Sequence, residues 1–106
     1  MKNKTMKVEI VDYTICTQSG DALVLVYGDT TNFDDIIFDG TVNFEFTIDK
    51  YQTGDGYLTP IENWMDVEIT DIEYFDTENR RIKPKHYIQE AIEYELIEMI
   101  KDKDND

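Results

Sequence analysis

The sequence predicts an α+β domain: a mostly antiparallel sheet of about five strands with one C-terminal helix packed on it. Three observations predict it. Residues 41–49 alternate strictly, with Val42, Phe44, Phe46 and Ile48 on one side and Asn43, Glu45, Thr47 and Asp49 on the other, the period of a half-buried strand. Further stretches rich in β-branched and aromatic residues lie between turn residues. From Pro84 to about Lys101 the apolar spacing changes to that of a helix. The 106 residues fit a single domain, 1–106, with 1–6 and 102–106 expected to fray.

The elements follow in order. Val8-Glu9-Ile10-Val11-Asp12-Tyr13-Thr14-Ile15 reads as a strand, and Gln18-Ser19-Gly20-Asp21 as a turn. The continuous apolar run from Ala22 to Tyr27 suggests a central strand. Ile36-Ile37-Phe38 reads as a short strand of its own, ended by Asp39-Gly40. After the alternating strand, residues 51–63 read as a loop around Gly54-Asp55-Gly56 and Thr59-Pro60, and residues 64–75 as another strand. Its phase slips near Thr70: Val67 and Ile69 fall on odd numbers, Ile72 and Tyr74 on even ones. A slip of one residue inside a strand marks a β-bulge. The first strand slips likewise, between Val8 and Ile10 on one side and Tyr13 and Ile15 on the other. Aligned, residues 8–15 and 67–74 share four of eight positions, which suggests two bulged strands of like geometry, though two octets in a β-biased, acidic chain can also agree by chance. Asp76-Thr77-Glu78-Asn79 is a turn, Ile82 closes a hairpin, and Pro84 suits the first turn of the helix. There Ile88, Ala91, Ile92, Leu96 and Met99 form one stripe with Ile100 at its edge, and Tyr87, Tyr94 and Ile97 lie on the back. The expected core under the helix is Val42, Phe44, Phe46, Ile48, Val67, Ile69, Ile72 and Tyr74.

Composition narrows the function. Asp and Glu number 24 against 10 Lys and Arg, a net charge of -14, yet 41% of residues are hydrophobic, too many for a disordered chain. No apolar run approaches the ~18 residues of a membrane helix. The charge sign argues against direct contact with nucleic acid or an anionic membrane. Cys16 stands alone, which excludes an internal disulfide and fits a reducing compartment. The N-terminus shows no apolar signal core, so a cytoplasmic location is expected. No Lys or Arg interrupts the acids between Lys7 and Lys50, or between Lys50 and Arg80; a basic cluster, Arg80, Arg81, Lys83 and Lys85, follows.

Little in the chain suits catalysis. One Ser, one Cys and one His leave only a Cys16–His86 pair, without a visible orienting group or oxyanion site. No phosphate-binding glycine motif is present. From Asp35 an EF-hand pattern places Asp39 and Gly40 correctly but puts Ile37 and Phe46 at ligand positions, so it fails. A loose divalent-metal site among Asp29, Asp34, Asp35 and Asp39 is set against the plainer reading of a solvated acidic loop. The expectation is a protein that is not an enzyme and uses no cofactor or metal.

The surface remains. If the strands at 41–49 and 64–75 pair, Glu45, Asp49, Asp66, Glu68, Asp71 and Glu73 share one sheet face with no Lys or Arg among them. Carboxylates on alternate residues recur every ~6.7 Å, and such rows attract basic surfaces. The competing reading is solubility alone. A second candidate surface is apolar: Tyr87, Tyr94 and Ile97 on the helix back, with Trp64 and its loop, would suit an assembly module or a homodimer.

Residues 66–75, then Asn79 and a closing Glu-rich helix, resemble small acidic proteins of phages and mobile elements, among them DNA-mimicking anti-restriction and anti-CRISPR proteins. The likeness covers about a third of the chain and carries over no assigned residue. It implies an inhibitor that occupies the basic, nucleic-acid-binding groove of a host enzyme; the basic cluster at residues 80–85 departs from a pure polyanion mimic. The expected partner is therefore a protein with a basic surface.

Overall fold

The computed structural model describes residues 6–28, 35–53 and 62–104, without the side chains of 51–53, 62–64 and 104. Five strands are followed by one helix: β1 (Lys7–Ile15), β2 (Ser19–Tyr27), β3 (Ile36–Thr53), β4 (Glu62–Asp76), β5 (Arg81–Ile82) and α1 (His86–Asp104). The strands form one antiparallel sheet in the order β1-β2-β3-β4-β5, as the alternation predicts.

Both predicted bulges are present, at equivalent positions. On β1, Ile10 pairs with Val24 and Asp12 with Leu23, leaving Val11 as the extra residue. On β4, Ile69 pairs with Phe46 and Asp71 with Glu45, leaving Thr70. The shared Val-Glu-Ile-x-Asp segment thus bulges at x in both strands. Each bulge turns the following Asp back to the side already taken by the preceding Glu. A third irregularity, at Ile37 where β2 meets β3, has no counterpart in the sequence pattern.

Several boundaries differ from the expectation. Asp39-Gly40 is not a turn: β3 runs through it for 18 residues. Gly40 is buried, and a Cβ there would lie 1.9 Å from the Phe75 carbonyl oxygen, so the glycine serves close approach of β3 to β4. The 51–63 loop is shorter than expected, since Gln52 pairs with Asn63 and Thr53 with Glu62; Gly54-Asp55-Gly56, Tyr57, Leu58 and Thr59-Pro60 lie outside the described residues. Ser19 to Asp21 belong to β2 rather than to the turn. Met6 packs against the core instead of fraying, and α1 continues through Asp102 to Asp104.

The core lies between the sheet and α1. From β2 come Ala22, Val24 and Val26, from β3 Phe38, Val42, Phe44 and Phe46, and from β4 Tyr74. Above them, Ile88, Ile92, Leu96 and Ile100 repeat at helical spacing and are buried. Burying a side chain such as Leu96 is worth about 1.5–3 kcal/mol. Ile48, Val67, Ile69 and Ile72, expected in the core, are only partly buried at its margin, while β2 supplies a quarter of the buried centre. Pro84 sits just before the helix rather than in its first turn. The Lys85 carbonyl accepts the first bonds, from the Ile88 and Gln89 N–H groups, and the Gln89 side chain donates to the Pro84 carbonyl at 2.6 Å. Lys101 and Lys103 lie in the last turn, where the helix dipole favours cations.

Beyond Ser19↔Glu45, β3 loses β2 as a neighbour, while its pairing with β4 continues to Thr53↔Glu62. The distal halves of β3 and β4 therefore form a two-stranded arm beyond the rest of the sheet.

Candidate functional site

The face of the sheet away from α1 is open. Its acidic part is built by register. Glu45 faces Asp71, Thr47 faces Glu68, Asp49 faces Asp66, and Asn43 faces Glu73. The six carboxylates singled out from the sequence thus occupy neighbouring positions on two paired strands. Strands lie ~4.8 Å apart, and same-face residues ~6.7 Å apart along each. Five of the six are exposed and Glu73 is partly buried. The bulge at Thr70 makes this face continuous. In a regular strand, residues 66 and 68 would share one side with 70 and 72, and Asp71 and Glu73 would turn toward the core.

One expectation needs correction: a cation does reach the face. Arg81, on β5 beside Phe75, places Nη1 3.5 Å from Glu73 Oε2. Both side chains are solvated, so the pair contributes little to stability. Arg80 turns instead to the hairpin. Its Nε donates to Asp76 Oδ2 at 3.0 Å and its Nη2 to Glu78 Oε1 at 3.0 Å. The Asp76 carboxyl, which accepts backbone N–H bonds from Arg80 and Glu78 beside that guanidinium, is held below the usual carboxylate range.

The acidic surface is larger than the sequence reading. Asp21, read there as part of a turn, stands on β2 opposite Asn43. Together with Glu45, Asp71 and Glu73 it lines a shallow depression of about 330 Å³. Its place could have been found by extending the alternation of Ala22, Val24 and Val26 backwards by one residue. Glu9 and Asp12 continue the face onto β1, where Tyr27 donates its hydroxyl to Glu9 at 3.1 Å. That bond to a carboxylate holds the phenol proton and raises the Tyr27 pKa.

The residues of the alternative surface divide. Tyr94 is 63% exposed and Tyr87 46%, on one stripe of the helix back. Ile97 is partly buried rather than free. Trp64 lies in β4 opposite Tyr51, and its side chain lies outside the described residues. Cys16 shares a pocket with Ile100 near the helix C-terminus, whereas His86 opens the helix at its other end, some ~20 Å away at 1.5 Å per residue. The two cannot act on one another. Among the described residues no group of His, Cys, Asp or Glu is placed to hold a metal; of the four loop acids weighed above, Asp29 and Asp34 lie outside the described residues. No described helix is long and apolar enough to cross a membrane.

Comparison with known proteins returns no match: no family model, no curated protein and no solved structure is similar to the chain.

Proposed function

We propose that this protein is a non-enzymatic inhibitor that binds another protein, its acidic sheet face occupying a basic, nucleic-acid-binding groove and standing in for phosphates. The observation that supports this is the register of β3 and β4. It sets Glu45 against Asp71 and Asp49 against Asp66, where directly opposed like charges each cost about 0.2–1 kcal/mol. Solubility needs net charge somewhere on the surface and does not need acids stacked across a ladder. A basic groove relieves that repulsion on binding. The resemblance to anti-restriction and anti-CRISPR proteins points to the same role and to an origin in a phage or mobile element.

The test is a pull-down with tagged protein from lysate of the source cell or its host, at low and high salt, with captured proteins identified and assayed for nucleic-acid binding. The expected result is capture of a nucleic-acid enzyme that is lost at high salt, as for the polyanion imitated, and displacement of its nucleic acid by this chain. A complex indifferent to salt, or one unaffected by Glu45→Gln with Asp71→Asn, overturns the reading.

A second reading, an assembly module or homodimer, is favoured only by the exposure of Tyr87 and Tyr94. It requires Tyr94→Ala to abolish association while charge changes on the sheet leave it intact.

A further inference from the structure

The open face is not acidic throughout. On β2 it continues from Asp21 to Leu23, Leu25 and Tyr27, where an antiparallel sheet facing water normally presents polar side chains. Leu23 is 47% exposed, and Val11, bulged out of the neighbouring strand, is 56% exposed. The registers place Leu23 between Asp12 on β1 and Thr41 on β3, with Phe75 next to Thr41 on β4. Leu25 lies between Glu9 and Asp39. Along the strands the face therefore has two ends. One is apolar, centred on Leu23 and Leu25 with carboxylates at its margin; the other is the acidic ladder of β3 and β4. Leu23 and the Ser19–Glu45 row are four residues apart, ~13 Å along the strand.

We infer that the docking surface is bipartite, and that its partner is a protein carrying an apolar ridge beside its basic groove. The ridge seats on Leu23 and Leu25 while the groove's cations meet the carboxylates. This deepens the proposed function and rests on it. An apolar centre inside a charged margin is the usual anatomy of a protein interface. A purely polar polycation satisfies the acids and leaves Leu23 wet. A second copy of this chain fits worse, because two such faces would press Glu9, Asp12 and Asp39 against like charges on a molecule of net charge -14.

The test uses two defined probes of equal charge, peptides of about twelve residues alternating Lys with Leu or Lys with Ser. Each is titrated by calorimetry and by amide chemical shifts at about 50 and about 500 mM NaCl. The expected result is that the Lys–Leu peptide binds about tenfold more tightly, shifts the amides of Leu23 and Leu25, and keeps most of that advantage at high salt. Leu23→Thr erases the difference, and Val11→Thr reduces it; both place a β-branched residue suited to a strand, and amide dispersion checks that they fold. Equal affinities that fall together with salt overturn the bipartite surface and leave the acidic reading standing. Shifts confined to the Tyr87–Tyr94 side of α1 overturn it as well. If neither peptide binds at low salt, both readings fall.

Discussion

Glu45 on β3 stands directly opposite Asp71 on β4, on the open face of the sheet. At that position the ladder works against itself. Glu45→Gln or Asp71→Asn removes one of two facing charges while preserving shape and hydrogen-bonding capacity. Either variant is expected to be more stable than the parent by about 0.2–1 kcal/mol at low salt, with the gap closing as salt screens the pair. Urea unfolding at two ionic strengths reads this directly, and a destabilised Asp71→Asn would contradict it.

The bulge at Thr70 lets β4 send its apolar residues to α1 and its acids to solvent on both sides of the irregularity. Deleting Thr70 removes the extra residue and leaves a regular strand in which Ile69 still pairs with Phe46 and Asp71 with Glu45, each on its present face. The deletion variant, like Thr70→Ala, is therefore expected to keep cooperative unfolding and amide shift dispersion; loss of either on deletion would show that the local twist of the bulge is itself required.

Gly40→Ala tests the close approach of β3 to β4. The added methyl meets the Phe75 carbonyl, and backbone cannot yield as a side-chain tip can. A loss of about 2 kcal/mol or more is expected, read as a lowered denaturant midpoint. A neutral outcome would mean that the ladder at Gly40↔Asp76 is dispensable.

Tyr74 is 4% exposed, and its buried hydroxyl has no hydrogen-bond partner among the described residues. Burial, with Glu93 nearby, pushes the phenol above its ordinary range. Since an unpaired buried hydroxyl costs free energy, Tyr74→Phe is expected to unfold at the same denaturant concentration or higher, with a gain of up to about 1 kcal/mol. The ring itself is kept, and with it the edge contact to Phe38 at 6.1 Å between centroids.

The hairpin before β5 carries an acid dependence. The Asp76 carboxyl is lowered by backbone N–H bonds from Arg80 and Glu78 and by the Arg80 guanidinium. A carboxylate lowered in the folded state stabilises it above the unfolded value of about 3.9, and that contribution disappears as pH falls through the lower folded value. Asp76→Asn is therefore expected to melt below the parent at pH 6 and to converge with it below pH 4. Melting curves across that range check the convergence.

How far the sequence revealed this molecule depends on which signal each residue carries. The two bulges were readable because apolar parity changes across Val11 and Thr70, and a change of parity has few other causes. The acidic ladder was readable for the same reason, once Val67 and Ile69 fixed which side of β4 faces α1. The length of β3 was hidden because Asp39-Gly40 is a turn pair by local chemistry, while here glycine answers a contact with Phe75, a residue 35 positions away. The apolar half of the open face was hidden too. A run such as Ala22 to Tyr27 implies burial on both sides, and only the structure shows α1 covering one of them. Arg81 reached Glu73 through a two-residue strand, too short to declare its register in advance.

The strand order carries a further consequence, for how the chain is made. Every strand pairs with its neighbour in sequence, so each ladder can form as soon as its second strand is synthesised, without waiting for a distant segment. The cover for the apolar face behaves in the opposite way, since α1 follows all five strands. Until it is made, Ala22, Val24, Val26, Val42 and Phe44 stay wet on a nascent sheet that would otherwise adhere to its neighbours. Like charge already spread over the first four strands keeps such half-made chains apart.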